Sequence, residues 1–555
     1  MRKTVLSGLI VALLLGAAGF HRAQPASAAA PKPLAVVSLS GYDELKGDLE
    51  MVGRIVDDPT LAARLEGLLK FFTKDKGLAG LDKTKPLGAA IFLDGEKPSG
   101  YAFLPVSDFD QLLDVLKPYI GELKDLGDGM YEASKGRKPA YLKVQSGWVF
   151  VSDRREMLAD VPADPAKLLA GLDRRYDLGI RFNAANVPDA LREKLLGRIK
   201  KDLAKELERK PGEDDLEYAL RKGLAKKLLG GLATGINDLD QVTFGLALDH
   251  KAETAMGELS VTAVEGSKTA KALEELGNAQ TAFAGFRLPG AVLTIQGTSQ
   301  CTVATEEELA WFFDKLRTKV FEEIDEDEKD EEKAKVFKHV IGGLLEVCQE
   351  TIAAGKVDGA GSVVLRPDAV TLVGARHVAD GPKLESALAP LVPLIRKKAP
   401  EIAALVAKTK TEEFEGVRLH SATIRIPEKV KDRDKLVRVV GENPEVVLGI
   451  GPEAVYVAAG KDALKTLKQA IKRSAERGPQ PARPLEVTVS LGALAKFIAE
   501  IGDEREREKA ARAVAALEKA PDTDHVKLVV LPIPRGLKIR LEVEQGVLRM
   551  IGAMK

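Results

Sequence analysis

The sequence predicts an α+β fold of two tandem related modules, each an antiparallel sheet with helices covering one face. Three observations carry that expectation. Segments such as Leu537-Lys538-Ile539-Arg540-Leu541-Glu542-Val543-Glu544 alternate strictly, the period of a strand with one face on a core and one in water. Arg366-Pro367-Asp368-Ala369, Gly451-Pro452-Glu453-Ala454 and Ile533-Pro534-Arg535-Gly536 place Pro second, where its fixed φ suits a type I or II turn and hence a hairpin. The apolar pattern also recurs within the chain, as a copied fold requires.

The recurrence orders the elements. At an offset of 272, Ile91-Phe92-Leu93 answers to Val363-Val364-Leu365, then Val106 to Val378, Asp108 to Asp380, Leu112 to Leu384, Leu116 to Leu388 and Pro118 to Pro390. The grammar is strand, turn, strand, helix, with each Asp at an N-cap and each Pro ending or kinking its helix. At an offset of 306, Val149-Phe150-Val151 answers to Val455-Tyr456-Val457 and Leu158 to Leu464. A weaker match joins Val242-Thr243-Phe244 and Leu259 to Val264 with Val526-Lys527-Leu528 and Leu537 to Val543. The helix from Asp462 to Ala475 gathers Leu464, Leu467, Ala470 and Ile471 on one side, fit to cover a sheet. The expected domains are a signal peptide over 1–28, a first module over 29–282, and a second over 283–555 with a helical hairpin near 305–355.

Composition narrows the function classes. The chain has 555 residues, 45% hydrophobic and 30% charged, enough to bury two or more cores. Lys plus Arg and Asp plus Glu are equal at 83 each, so no basic surplus exists to hold a phosphate backbone, and nucleic acid is not an expected partner. Arg2 and Lys3, an apolar run from Val5 to Phe20 and Ala26-Ser27-Ala28 have the layout of a secretory signal peptide. That run falls short of the roughly 20 residues that span a bilayer, and no later stretch approaches that length. The mature chain is therefore expected to lack a transmembrane segment and to be exported, periplasmic or extracellular.

Cys301 and Cys348 are the only cysteines. In an oxidising compartment they are a candidate disulfide, closing a loop worth about 4 kcal/mol on the chain-entropy estimate; two buried free thiols are the alternative.

Chemistry-bearing motifs do not survive inspection. Gly449-Ile450-Gly451-Pro452-Glu453-Ala454 fits the letters of a dinucleotide fingerprint, but Val455-Tyr456-Val457 continues as strand where a helix N-terminus must hold the pyrophosphate. Of the histidines after the signal, only His377 and His420 are placed to converge on a metal, and they lack counterparts in the first module. The acidic run Glu322 to Glu332 has neither the ligand spacing nor the Gly of an EF-hand loop and reads as a wet helical elbow, with Arg221, Lys222, Lys226 and Lys227 as a conceivable partner patch. Asp82 and Lys83 read as chain reversal after Gly80, and Trp148 and Trp311 as core. No catalytic residue, metal ligand or cofactor is assigned.

Gly41-Tyr42-Asp43-Glu44-Leu45, Asp58-Pro59-Thr60-Leu61-Ala62, Gly80 to Pro86 and the Tyr141 to Leu158 stretch resemble a group of bacterial exported proteins known only as domains of unknown function. The likeness covers mainly residues 34–160. It implies an envelope or surface location and supplies no catalytic residue. The expected role is a non-enzymatic one, binding or structural, in the cell envelope, with an unknown protein or envelope component as partner. The alternatives are a carrier of an apolar ligand such as lipid, within a curved sheet whose inward face stays unfilled, and a hydrolase with dispersed carboxylates.

Overall fold

A computed structural model describes residues 32–133, 139–300, 306–366, 369–430 and 433–554. The signal segment 1–28, Cys301 and the Pro367-Asp368 turn lie outside the described residues. The first half supplies β1 (Ala35–Leu39), β2 (Leu87–Asp94), β3 (Lys97–Pro105), β4 (Leu123–Gly127), β5 (Met130–Ala133), β6 (Ala140–Gln145), β7 (Trp148–Ser152), β8 (Leu178–Asn183), β9 (Leu239–Asp249) and β10 (Thr254–Ala263). A two-residue β11 (Gln280–Thr281) follows. The second half supplies β12 (Leu293–Gln300), β13 (Lys356–Arg366), β14 (Ala369–His377), β15 (Val406–Phe414), β16 (Val417–Ile424), β17 (Glu445–Gly451), β18 (Ala454–Gly460), β19 (Gln480–Pro481, paired with β11), β20 (Leu485–Ser490), β21 (His525–Ile533) and β22 (Gly536–Val543).

All other strands join one open antiparallel sheet of 20. From one edge the order is β4-β5-β6-β7-β3-β2-β1-β8-β9-β10. It continues β22-β21-β20-β12-β13-β14-β18-β17-β16-β15 to the other edge. Counted inward from β15, the second half has the same strand order as the first counted inward from β4. The segments matched by sequence fall on corresponding strands: β2 and β13, β7 and β18, β9 and β21, β10 and β22. The outer strand β15 alternates Lys408, Lys410 and Glu412 along its exposed length, charges that discourage another chain from adding to the edge.

Helices occupy corresponding places as well. A helical pair links β1 to β2 (Tyr42–Ile55 and Leu61–Phe72), and a longer pair links β12 to β13 (Glu306–Asp327 and Glu331–Ala353). Asp108 accepts from the Gln111 N–H at 3.0 Å and Asp380 from the Lys383 N–H at 2.8 Å, so both predicted N-caps form. The leucines that follow, Leu112 and Leu384, are buried. Pro118 lies inside its helix near the last turn, whereas Pro390 separates Gly381–Leu388 from Leu391–Lys398. One main core lies in each half. Phe103, Trp148, Phe150 and Leu158 pack with Leu169 and Leu172 in the first, and Phe286, Val373, Ala458, Leu467 and Ile471 in the second. The helix Ala463–Arg477 covers the sheet there, as its apolar stripe predicted.

The halves do not keep separate sheets. β10 and β22 pair over eight positions, from Ala255 opposite Val543 to Thr262 opposite Gly536. Glu258 sits in this seam only 2% exposed, directly opposite Arg540. Its carboxylate accepts from Arg540 Nε at 2.6 Å and from the Tyr176 hydroxyl at 2.6 Å, with Lys538 Nζ at 3.2 Å. Burial alone would raise its pKa, but the Tyr176 and Arg540 hydrogen bonds and the two cations outweigh that and hold it below the usual glutamate range. Gly245 on β9 makes room for the clamp, since a Cβ there would lie 2.3 Å from the Tyr176 ring.

Glu258→Gln keeps the shape and leaves two cations facing a neutral amide. It is expected to cost about 3 kcal/mol, read by denaturant unfolding at pH 7, because removing one partner of a buried pair strands the other. Since the native pKa is lowered, the wild-type advantage should be present at neutral pH and fade as pH falls through that native pKa; an advantage unchanged at acid pH would refute the clamp.

Candidate functional site

Alternation in the central strands sorts residues by chemistry onto two faces, and the registers keep the sorting intact across the seam. Leu541 of β22 stands opposite Gly257 of β10, and Gly257 opposite Leu246 of β9; Ile539, Leu259 and Phe244 make the next row. The row continues to Ile180 of β8. Lys538, Arg540, Glu258, Ser260 and Thr243 point to the other face. The apolar face is the more open one: Leu541 is 44% exposed, while Glu258 behind it is buried. The expectation that the apolar side of Leu537 to Glu544 rests on a core is therefore corrected. In the centre of the sheet the charged side is closed by its ion pairs and by the first-half core, on which Met256 and Ala247 pack beside Tyr176, and the apolar side is the more exposed one.

The same face runs on through Ile295, Val357, Leu372, Val457 and Val446 in the second half. With Phe182 of β8, twelve large side chains on it are between 37% and 51% exposed, on the order of 800 Å² together, above the roughly 300–600 Å² of the largest patch on an ordinary monomer. Helices bound it. Val526 and Val543 pack under Leu491–Ile501, Glu504–Glu518 and Gln545–Ala553, and Val455 packs with Leu384 and Val347.

Within this face the second half carries a groove of about 610 Å³, lined by residues of β12, β13, β14, β18 and β20. Its floor is glycine: Gly297 pairs with Gly359, and Gly361 pairs with both Ile295 and Gly374. Glycine in a strand leaves bare backbone where a side chain would stand. At the corresponding strand positions the first half has Leu39, Leu87, Ala89 and Ala102, so the glycine floor belongs to one half. Its one charged side chain on this face is Arg376, opposite Gly359 and Val455, and among the described residues no acid pairs with it.

A second constellation joins distant segments. Glu44 and Asp48 lie one turn apart on the helix Tyr42–Ile55, and His250 comes from the β9–β10 turn. His250 Nδ1 lies 3.4 Å from Asp48 Oδ1 and 3.7 Å from Glu44 Oε1, and the three donor atoms lie within 4.8 Å of one another. Asp48 Oδ2 is buried without a hydrogen-bond partner. Burial, and then the charge of neighbouring Asp177, push Asp48 up to about 7. Asp177 is itself fixed by the Ser40 hydroxyl at 3.2 Å and the Leu248 N–H at 2.7 Å. Two carboxylates and an imidazole are donors that a divalent cation accepts, and a carboxyl kept near neutrality can hold a proton.

Sequence reasoning missed both places. Glu44 and Asp48 share the helical i, i+4 spacing, but nothing local announces His250, and the glycines align only once the strand register is known. Of the residues singled out from sequence, His377 donates from Nδ1 to the Glu453 carbonyl (2.9 Å), and His420 lies 3.0 Å from Glu385 and 3.2 Å from Thr411; they are on β14 and β16, with two strands between them. Gly449 to Ala454 forms the β17–β18 hairpin. Cys348 is exposed on the helix Glu331–Ala353, no disulfide occurs among the described residues, and its proposed partner Cys301 is outside them. The acidic elbow pairs with Lys397 and Lys398 through Glu332 and Asp330; Arg221 instead holds Glu213. Trp148 is core, whereas Trp311 is 41% exposed and rests against Gly223 of another helix.

Asp48 has a raised native pKa, so the protein should lose stability as pH rises from about 4 through about 7, where the unfolded carboxyl ionises and the folded one resists. Asp48→Asn should therefore raise the melting temperature at pH 8 and leave it nearly unchanged at pH 4.5. Equal shifts at both values in thermal scans would show that Asp48 is already ionised in the native protein.

No family profile matches the chain, and no curated protein or solved structure matches it at a significant level.

Proposed function

We propose that this protein binds the acyl chain of a lipid on the apolar face of its sheet, as a non-enzymatic exported carrier or holder in the cell envelope, built from two halves that arose by copying one αβ unit. The single observation that carries the reading is the inverted sheet, with side chains that could fill a core left open over the central strands and a glycine-floored groove continuing from them. Burying that surface is favourable at about 25 cal/mol per Å², so an unoccupied face of this size is costly in water and a ligand relieves it.

The groove's chemistry favours hydrocarbon over peptide. Strands β12, β13 and β14 are hydrogen-bonded on both sides, so no edge is free for an added strand. A peptide laid across the groove would bury backbone polar groups against a lining with almost nothing to pair them, whereas a methylene chain has none to satisfy. The exported location rests on the signal-like N-terminus, and the shared strand order of the halves supports their common origin.

Gly374→Leu would place a large side chain on the groove floor, where a Cβ already comes within 3.4 Å of Val457. It is expected to cut binding of a fluorescent acyl probe at least ten-fold while leaving the unfolding temperature within a few degrees. Lipid extracts of the purified wild-type chain, read by mass spectrometry, should contain acyl species that the variant lacks. Equal probe affinity and equal extracts would overturn the reading.

A further inference from the structure

We infer that the ligand is a single-chain anionic amphiphile, with its alkyl tail in the glycine-floored groove of the second half and its carboxylate or phosphate head on Arg376. This rests on the acyl-chain reading above and adds the head group and the half that selects it.

Arg376 is out of keeping with its surroundings. It follows Leu372 and Gly374 on the apolar side of β14, and its neighbours across the ladders are Gly359 and Val455. Cations on the strands of this chain repeatedly find an acid: Arg540 pairs with Glu258, Lys527 with Glu544 and Arg418 with Glu385. Arg376 has no such partner among the described residues. The corresponding place in the first half, 272 residues earlier, is Leu104, and there Leu87, Ala89 and Ala102 stand where the second half has its floor glycines. The cation and the glycine floor thus occur together in one half.

The geometry suits an amphiphile with one tail. A guanidinium offers a planar fork of donors that matches a carboxylate or phosphate in bidentate fashion. Bordering an apolar groove, it strengthens its pairing with an anion because fewer waters compete there. An alcohol or ester head would forgo that charge pairing.

The test compares oleate with oleyl alcohol, which share a tail, by displacement of a fluorescent acyl probe from the full chain at pH 8 and low salt. Wild type should prefer oleate at least ten-fold, and the preference should shrink as salt rises. Arg376→Gln should remove the preference while leaving oleyl alcohol affinity unchanged, and Arg376→Lys should restore part of it. Arg376 is exposed, so neither change should alter unfolding. Equal preference in wild type and Arg376→Gln would overturn the head-group assignment and leave the acyl-chain reading standing. Failure of both probes to bind wild type would overturn both, as would light scattering showing a dimer of two chains that covers the face and excludes the probe.

Discussion

The pairing of β10 with β22 is the constraint on which the rest of the molecule depends. It makes one sheet of two, and by fixing register it fixes which residues share a face across the join. A shift of β22 by one residue against β10 would turn Lys538 and Arg540 to the side of Leu259, Phe244 and Leu246 and bring Ile539 and Leu541 to the side of Glu258, because successive strand residues point to opposite sides. The Glu258 clamp opposes that slip: its carboxylate is satisfied by Tyr176, Arg540 and Lys538 only in the observed register. The buried ion pair therefore specifies alignment at least as much as it stabilises.

From alignment follows the inverted centre of the sheet. In the flanks the sheet packs on helices and short turns, with Phe150 and Leu158 in one half and Val373 and Leu467 in the other. Over β9, β10 and β22 Glu258 is satisfied by Tyr176, Arg540 and Lys538, while Phe244, Leu246, Leu259, Ile539 and Leu541 on the other face are left about two-fifths exposed. Helices flank this surface at Val526, Val543 and Val455. The proposal of a bound acyl chain follows from that imbalance, and the asymmetry between Gly297, Gly359, Gly361 and Gly374 and their larger counterparts places the groove in the second half.

Much of the architecture was legible in the sequence because the signals were local. Asp108 and Asp380 announced two helix starts, the Pro-containing turns announced hairpins, and the repeated Ile91-Phe92-Leu93 pattern fell on corresponding strands. Alternation in Leu537 to Glu544 announced a strand but could not say which side is covered, since a period of two is symmetric between the faces. Covering is decided by how far the neighbouring helices reach over the sheet, and the continuous sheet by an edge pairing between residues about 280 apart. The same limit hid Asp48 and His250, which meet 202 residues apart, and left Arg376 looking like an ordinary surface residue of β14.

A crystal structure of the full chain loaded with a brominated fatty acid tests the central claim most directly. The account predicts anomalous bromine signal along the apolar side of the sheet, against Ile295, Leu372 and Val457, with the charged side free of it. Bromine only at the charged side or between surface helices, with the apolar side closed by the protein's own helices, would contradict it.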